Sequence, residues 1–388
     1  MLLSNPGYFH KNFWKIVKNN IFYEMTSLYV NHSCNLQCSH CFWGVNKTLE
    51  QNLSLEQWKN ILQQFIETGT THFHICGKEP FTSPNKLFGI LSFITNFDGI
   101  DSSIITNGLF IKKCSKELLR FPPNKITLSI DGPKKFHENL RGANTFDTVM
   151  RNVDFVLSSK LCDLSVVSIV NKRNRTSIQP FVRSIINKGI KTCFIQPELP
   201  YGRRLETVED LISCEDMDYI INSTIREIRS KKINLEHTIG FLIPPTFTAY
   251  LIKKNETVKS SINSFLSGES KRPEAKIKNT TIYFRVHPYC TASWAECRVT
   301  ADGFFLGCDV VMGSPDYRKY SEGNFKVETL KEIKQKIASN NCKIYNVTKN
   351  TPRVCLGCED FKWCGSGCRT ALKVAGLSSQ RADMYCQR

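Results

Sequence analysis

Cys34, Cys38 and Cys41 stand within eight residues in the order Cys-x3-Cys-x2-Cys. Thiolates are the preferred ligands of iron–sulfur clusters. Three of them on one loop leave one iron of a 4Fe-4S cube without a protein ligand, and an open coordination site is what chemistry on a bound substrate needs. A zinc site is the alternative, because three cysteines are most of a zinc knuckle, although no fourth cysteine stands nearby. A second group lies near the other end of the chain. Cys355-x2-Cys358-x5-Cys364-x3-Cys368 is followed by Cys386 and preceded by Cys290, Cys297 and the segment Gly303-x4-Cys308. Read alone, this group also admits a pair of zinc sites, since Cys-x2-Cys is a knuckle spacing. Cys76, Cys114, Cys162, Cys193, Cys214 and Cys342 fall singly and read as structural thiols.

The elements that must hold these thiols follow from the apolar pattern. Short β-branched runs at Ser27–Val30, His72–Cys76, Ser102–Thr106, Lys125–Ile130, Leu164–Val170 and Lys191–Ile195 predict six strands. Amphipathic stretches alternate with them. One begins at the N-cap candidate Ser54, carries Leu55, Trp58, Ile61, Leu62, Phe65 and Ile66 on one face, and stops at Gly69. Another runs from Asn144 to Ser159. Such alternation specifies an α/β fold with a parallel sheet, curled by right-handed crossovers into part of a barrel with function at the strand C-termini. The first cysteine loop follows the first predicted strand and so belongs on that rim. The segmentation is an N-terminal extension over 1–25, a core over 26–204, a helical or loop-rich bridge over 205–282 and a small metal-organised region over 283–388.

Composition narrows the setting. A chain of 388 residues buries ample core without disulfides, yet it has 17 cysteines. No secretory leader is expected, because Pro6, His10, Lys11 and Lys15 interrupt the start, and no apolar run has the length of a membrane span. The expectation is a soluble cytoplasmic protein whose cysteines bind metal. The net charge of +17 points to an acidic partner or to solvated surface; Lys and Arg are spread along the chain, so nucleic acid is not the expected partner.

With these residues in place, the chain resembles the radical S-adenosylmethionine (SAM) superfamily over most of its length. The resemblance implies that the open iron chelates SAM and that reductive cleavage yields a 5'-deoxyadenosyl radical that abstracts hydrogen from substrate. Gly77-Lys78-Glu79-Pro80 is similar to the family's Gly-Gly-Glu-Pro motif, which receives the SAM ammonium; Lys78 replaces its second glycine. Thr106-Asn107-Gly108 matches the family's Thr-Asn-Gly. Ser129-Ile130-Asp131-Gly132-Pro133, followed by His137 and Arg141, resembles a segment of the peptide-modifying branch, in which Ser129 and Arg141 would bind the SAM carboxylate and Asp131 belongs to the same cofactor motif. His40 occupies a position that often flanks adenine.

The C-terminal cysteines resemble the SPASM auxiliary-cluster domain of radical SAM peptide maturases. That resemblance implies one auxiliary cluster on Cys290, Cys308 and Cys368 with Cys297 as fourth ligand, and another on Cys355, Cys358, Cys364 and Cys386. Cys297 also suits a buried packing role beside the Asp302-Gly303 hairpin turn, where Asp302 reads as a turn residue. Three 4Fe-4S clusters and SAM are the implied cofactors. Two auxiliary clusters would take an electron from a substrate radical, giving net oxidation. The favoured substrate is a ribosomally made precursor peptide with an acidic leader, crosslinked into a macrocycle; formylglycine formation on a sulfatase is the alternative, and a non-catalytic iron–sulfur or zinc nucleic-acid binder is the alternative of another class. Asp309 stands where the sulfatase-maturing family has a general base, and also where a turn residue would stand. A flavodoxin or ferredoxin would donate electrons. Peptide recognition would fall to Tyr8–Tyr23, the bridge or a separate recognition protein.

Overall fold

The computed structural model describes residues 21–43, 52–200, 202, 208–230, 235–286, 292–293, 295–341, 343, 352–378, 383 and 385–386. The six expected strands are present as β1 (Met25–Tyr29), β2 (His72–Cys76), β3 (Asp101–Thr106), β4 (Lys125–Ser129), β5 (Asp163–Val170) and β6 (Thr192–Pro197). They pair in sequence order and in parallel. Helices occupy the crossovers, as parallel pairing requires: α1 (Leu55–Glu67), α2 (Pro84–Ile94), α3 (Ser115–Arg120), α4 (Lys134–Arg141), α5 (Phe146–Ser159) and α6 (Ile178–Asn187).

The helix α1 shows how local sequence fixes an element. Ser54 caps it, its hydroxyl accepting from the Gln57 N–H while the Gln57 side chain accepts from the Ser54 N–H. Trp58, Ile61, Leu62 and Phe65 form the buried stripe. Gly69 ends the segment at φ +94°, where a Cβ would also press on Phe22 at 2.9 Å.

The sheet is larger than the six strands expected. Among the described residues it has twelve, in the order β12-β11-β10-β1-β2-β3-β4-β5-β6-β7-β9-β8, and it stays open. The region expected to be helical or loop-rich contains α7 (Cys214–Ser230), α8 (Pro245–Lys254) and α9 (Glu256–Leu266), but also β7 (His237–Ile243), β8 (Glu274–Ile277) and β9 (Thr280–Val286). β7 pairs in parallel with β6, and β9 with β7. An unpaired β6 would present a row of open backbone groups; the apolar run of β7 covers it, and β9 in turn covers β7. On the other side β10 (Cys297–Val299) pairs in parallel with β1, and β11 (Phe304–Leu306) and β12 (Gly323–Asn324) follow antiparallel. The chain continues through α10 (Leu330–Lys336), α11 (Phe361–Cys364) and α12 (Arg369–Val374).

The core lies between sheet and helices, with Trp58, Phe65, Phe73, Phe181, Phe241, Phe247, Phe284 and Phe305 among its fully buried side chains. Among the described residues no helix is long and apolar enough to cross a membrane. Trp58→Ala is expected to lower unfolding free energy by about 3–5 kcal/mol, and Ser54→Ala by about 1 kcal/mol. Urea unfolding followed by circular dichroism checks both.

Candidate active site

The loop from Asn31 to Cys41 leaves the C-terminal end of β1 and lies against the residues that leave β2. Asn31 Nδ2 donates to the Glu79 carbonyl at 2.7 Å, and the Glu79 N–H donates to the Ser33 carbonyl at 3.0 Å. Gly77, at φ +140°, lets the two strand ends approach, because a Cβ there would sit 3.0 Å from the Asn31 backbone oxygen. Cys34 is exposed and Cys38 and Cys41 are half-buried. Burial pushes the Cys38 thiol up to about 11; Arg141 opposes this, while Cys41, Asp131 and Cys34 add to it. Burial also raises Cys34, against the Leu36 N–H, which donates to its sulfur at 3.3 Å, and with Glu79 and Cys41 adding to the rise.

Three thiols gathered in this way stay deprotonated only with compensating positive charge, which metal supplies. Among the described residues no His, Cys, Asp or Glu side chains converge in threes to hold a single ion. Thiolates around one zinc stand roughly 3.8 Å apart, given its tetrahedral bonds. Cys34, Cys38 and Cys41 lie close enough on this loop for their charges to act on one another, and three thiolates are a donor set that fits an iron–sulfur cluster.

Glu79 is buried and its carboxylate is already engaged. It accepts from the Thr106 hydroxyl at 2.7 Å, the Phe81 N–H at 3.1 Å and the Asn107 N–H at 2.8 Å. An ionised carboxylate has about four acceptor sites, so Glu79 ties β2 to the end of β3 and keeps one site for a cation. Asn107 donates from Nδ2 to Asn35 at 2.8 Å, joining the Thr-Asn-Gly turn to the cysteine loop. Lys78 is half-buried between these contacts, and the Ser129 side chain ends β4 half-buried.

Asp131 is fully buried and collects the charge on this rim. Arg141 donates to it from Nε at 2.6 Å and from Nη2 at 3.3 Å, the Ile169 N–H donates at 2.9 Å, and His40 Nε2 lies 3.5 Å away. Burial acts to raise its pKa, but Arg141, then His40 and His137, bring it down to about 2. Arg141 thus forks onto the Asp131 carboxylate while its charge also acts on the Cys38 and Cys41 thiols.

Asp309 opens a 3-10 turn after Cys308. Its Oδ1 accepts from the Tyr29 hydroxyl at 2.5 Å and from Arg298 Nε, and its Oδ2 accepts from Arg298 Nη2 at 2.9 Å. Burial works against its ionisation, yet Arg298 and Tyr29 hold its pKa below the usual carboxylate range. Although protein surrounds it, 43% of its side chain is exposed, so it lines a cleft.

Among the auxiliary candidates, Cys355, Cys358, Cys364 and Cys386 lie close enough for their charges to act on one another, and burial, the largest cause, pushes Cys364 up to about 11. Cys308 and Cys368 pack around Val310 and Ala371 together with Phe42, which follows Cys41. Cys290 and Cys342 lie outside the described residues. Cys297 is sealed: it is 1% exposed, its sulfur is 3.5 Å from Thr26 Oγ1, and burial pushes its thiol up to about 12. Strand alternation turns it to the face opposite Arg298, which reaches Asp309. Of the single cysteines, Cys76, Cys114, Cys193 and Cys214 are buried and Cys162 is half-buried.

Several residues escaped the sequence reading. Asp302 is a buried hub, accepting from Thr300 at 2.6 Å, Tyr317 at 2.9 Å and Arg318 at 3.1 Å, with His32 Nε2 at 3.5 Å. Tyr29 and Arg298 clamp Asp309, and Asp383 accepts from the Cys368 N–H at 2.7 Å. The available signal was a charged residue inside an apolar strand, as Arg298 is in Cys297–Val299.

Residues 28–176 match the family model described as the Radical SAM superfamily. The chain carries a radical SAM domain. It is 28% identical over 181 residues to a GTP 3',8-cyclase of Haemophilus influenzae (strain ATCC 51907 / DSM 11121 / KW20 / Rd), covering 45% of this chain and 53% of that protein. It is 27% identical over 207 residues to the sporulation killing factor maturation protein SkfB of Bacillus subtilis (strain 168), covering 53% of this chain and 49% of that one. The chain spans about half the length of these curated relatives. Among solved structures, Streptococcus suis SuiB bound to precursor peptide SuiA superposes with a TM-score of 0.70 at 19% identity, over 96% of this chain and 78% of that one. Native anSMEcpe with bound AdoMet superposes with a TM-score of 0.65 at 18% identity, over 94% of each chain. These likenesses in fold extend over nearly the whole chain, well beyond residues 28–176.

The depressed pKa of Asp131 makes it stabilising above pH about 4, its unfolded value, with that contribution lost as pH falls through about 2. Asp131→Asn is therefore expected to cost about 2 kcal/mol or more at pH 7. The difference from wild type closes between pH about 4 and about 2, as read by urea unfolding across that range.

Proposed function

We propose that this protein is a radical SAM enzyme that oxidatively modifies a ribosomally made peptide, joining side chains into a macrocycle. The observation that carries the reading is the gathering of Cys355, Cys358, Cys364 and Cys386, with Cys308 and Cys368 packed nearby, in a chain that carries a radical SAM domain. In this reading a 4Fe-4S cluster on Cys34, Cys38 and Cys41 and bound SAM supply the radical. Gly77, Lys78, Glu79, Asn107, Ser129, Arg141 and His40, with Asp131 orienting Arg141, hold the cofactor.

Further clusters would be held by Cys355, Cys358, Cys364 and Cys386, and by Cys290, Cys308 and Cys368. The sealed position of Cys297 supports an auxiliary cluster with one iron left open. Residues 26–204 would act as the radical-generating unit and 283–388 as the electron-accepting unit, with 205–282 between them. SuiB with its precursor peptide and SkfB as a maturation protein support a peptide substrate, for which the net charge of +17 favours an acidic leader.

The formylglycine reading keeps support from the anSMEcpe fold. It asks for a carboxylate free to take a proton, and Asp309 is instead clamped by Arg298 and Tyr29 with its pKa lowered. A clamped anion suits positioning better than general base catalysis, which favours crosslinking.

Anaerobic incubation of reconstituted protein with SAM, reductant and a synthetic candidate precursor peptide carrying an acidic leader is expected to give 5'-deoxyadenosine and a loss of two hydrogens per modification by mass spectrometry. Loaded protein that forms no 5'-deoxyadenosine would overturn the reading. Metal analysis is expected to give about twelve irons per chain for three cubes, with Cys34→Ala abolishing SAM cleavage; zinc at two or three per chain would favour the non-catalytic alternative.

A further inference from the structure

The face of β2 that carries His72, His74 and Cys76 is turned toward Asp309 and Arg298, while Phe73 and Ile75 on the other face are fully buried. Barrel interiors of this architecture are ordinarily filled with branched apolar side chains. Here strand register places Arg298, Ser27, His74, Ser103 and Lys125 in one row across five strands. Within this polar row two imidazoles meet one hydroxyl: His72 Nε2 lies 2.7 Å and His74 Nδ1 2.8 Å from Ser103 Oγ. A hydroxyl can donate to one ring while accepting from the other, and each neutral imidazole can accept on one nitrogen while donating from its second. The three groups therefore form a continuous hydrogen-bonded file. His72 opens β2 at the end away from Gly77, so the file leads from the cleft toward the opposite end of the sheet, roughly 13 Å below the rim by strand rise.

We propose that His74, Ser103 and His72 form a proton relay that carries the proton released on substrate oxidation away from the cleft beside Asp309. The inference rests on the oxidative reading above. Each linkage removes two hydrogens from the peptide. One leaves as an atom that completes 5'-deoxyadenosine. The second leaves as the new bond closes, its electron passing to an iron–sulfur acceptor and its proton to His74. Asp309 is occupied by Arg298 and Tyr29, whereas His74 spends Nδ1 on Ser103 and, among the described residues, shows no hydrogen bond at Nε2. Burial, the largest cause, holds His74 down to about 4, and the neighbouring His72, Arg298 and Lys125 act in the same direction against Asp309. His72 is lowered chiefly by burial, with Lys125 adding and Asp101 opposing. At neutral pH both rings are thus neutral, so a proton is passed along the file and not stored on it.

The test uses reconstituted holoenzyme as wild type, Ser103→Ala and Ser103→Thr. Nitrogen-15 NMR of the imidazoles needs no peptide. Wild type and Ser103→Thr are expected to show hydrogen-bonded His72 Nε2 and His74 Nδ1 that respond together to titration, and Ser103→Ala to lose this coupling. Rings that titrate independently in wild type overturn the relay. With SAM, dithionite and a synthetic candidate precursor peptide carrying an acidic leader, Ser103→Ala is expected to lower modified peptide per 5'-deoxyadenosine by about tenfold or more. Ser103→Thr is expected to restore the ratio together with the wild-type solvent deuterium effect. A wild-type ratio in Ser103→Ala overturns the proposal. A wild type that cleaves SAM yet modifies no peptide overturns the oxidative reading instead, and the NMR result then decides the hydrogen-bonded file by itself.

Discussion

The parallel pairing of β1 with β10 is the constraint on which the site depends. Thr26, Ser27 and Leu28 are matched in register with Cys297, Arg298 and Val299, residues some 270 positions away. That alignment places the C-terminal region directly on the strand that feeds the first cysteine loop. From it follow the Tyr29–Asp309 hydrogen bond, the approach of His32 to Asp302 and the Tyr23 hydroxyl bond to the Ser293 carbonyl. An edge strand left open at β1 would expose backbone donors and acceptors, so closing that edge and assembling the two cysteine regions are one event.

Charge is distributed along the rim with little waste. Asp131 and Asp302 are enclosed and Asp309 is partly open, and each is held ionised by a cation or several donors: Arg141 with His40, Arg298 with Tyr29, and His32 with Thr300 and Tyr317. An unpaired charge at the depth of Asp131 or Asp302 would cost several kcal/mol, so their partners are structural requirements as well as chemical ones. The result is a set of fixed groups around a cleft. The charge of Arg141 acts on the Cys38 and Cys41 thiols, and Asp309 lines the cleft directly after Cys308. Rigid placement of this kind suits chemistry through a radical, where the substrate has to be held at a fixed distance from the reacting atom.

Much of this was legible in the sequence. The strands β1 to β6 announce themselves through β-branched runs, and α1 through its cap and apolar stripe. The cysteine spacings bring neighbouring thiols onto one loop or turn by local geometry alone, so their proximity could be read from the sequence. The strands β7 and β9 were missed because a short apolar run between helices has no local signature that separates a strand from a buried loop or helix segment. Asp302 was read as a turn residue for a related reason. Its position at a hairpin is local, while its partners His32, Tyr317 and Arg318 come from elsewhere.

By itself, then, the sequence determined the α/β class, the loop that gathers Cys34, Cys38 and Cys41, and the motifs that end β2, β3 and β4, since each is set by residues within a few positions of one another. The tertiary structure alone decided that Asp309 is clamped by Arg298 and Tyr29, that Cys297 faces away from them, and that His72 and His74 share Ser103. Those facts depend on strand register and on which face each side chain takes, and register is set by pairing between distant segments whose match cannot be read from either segment alone.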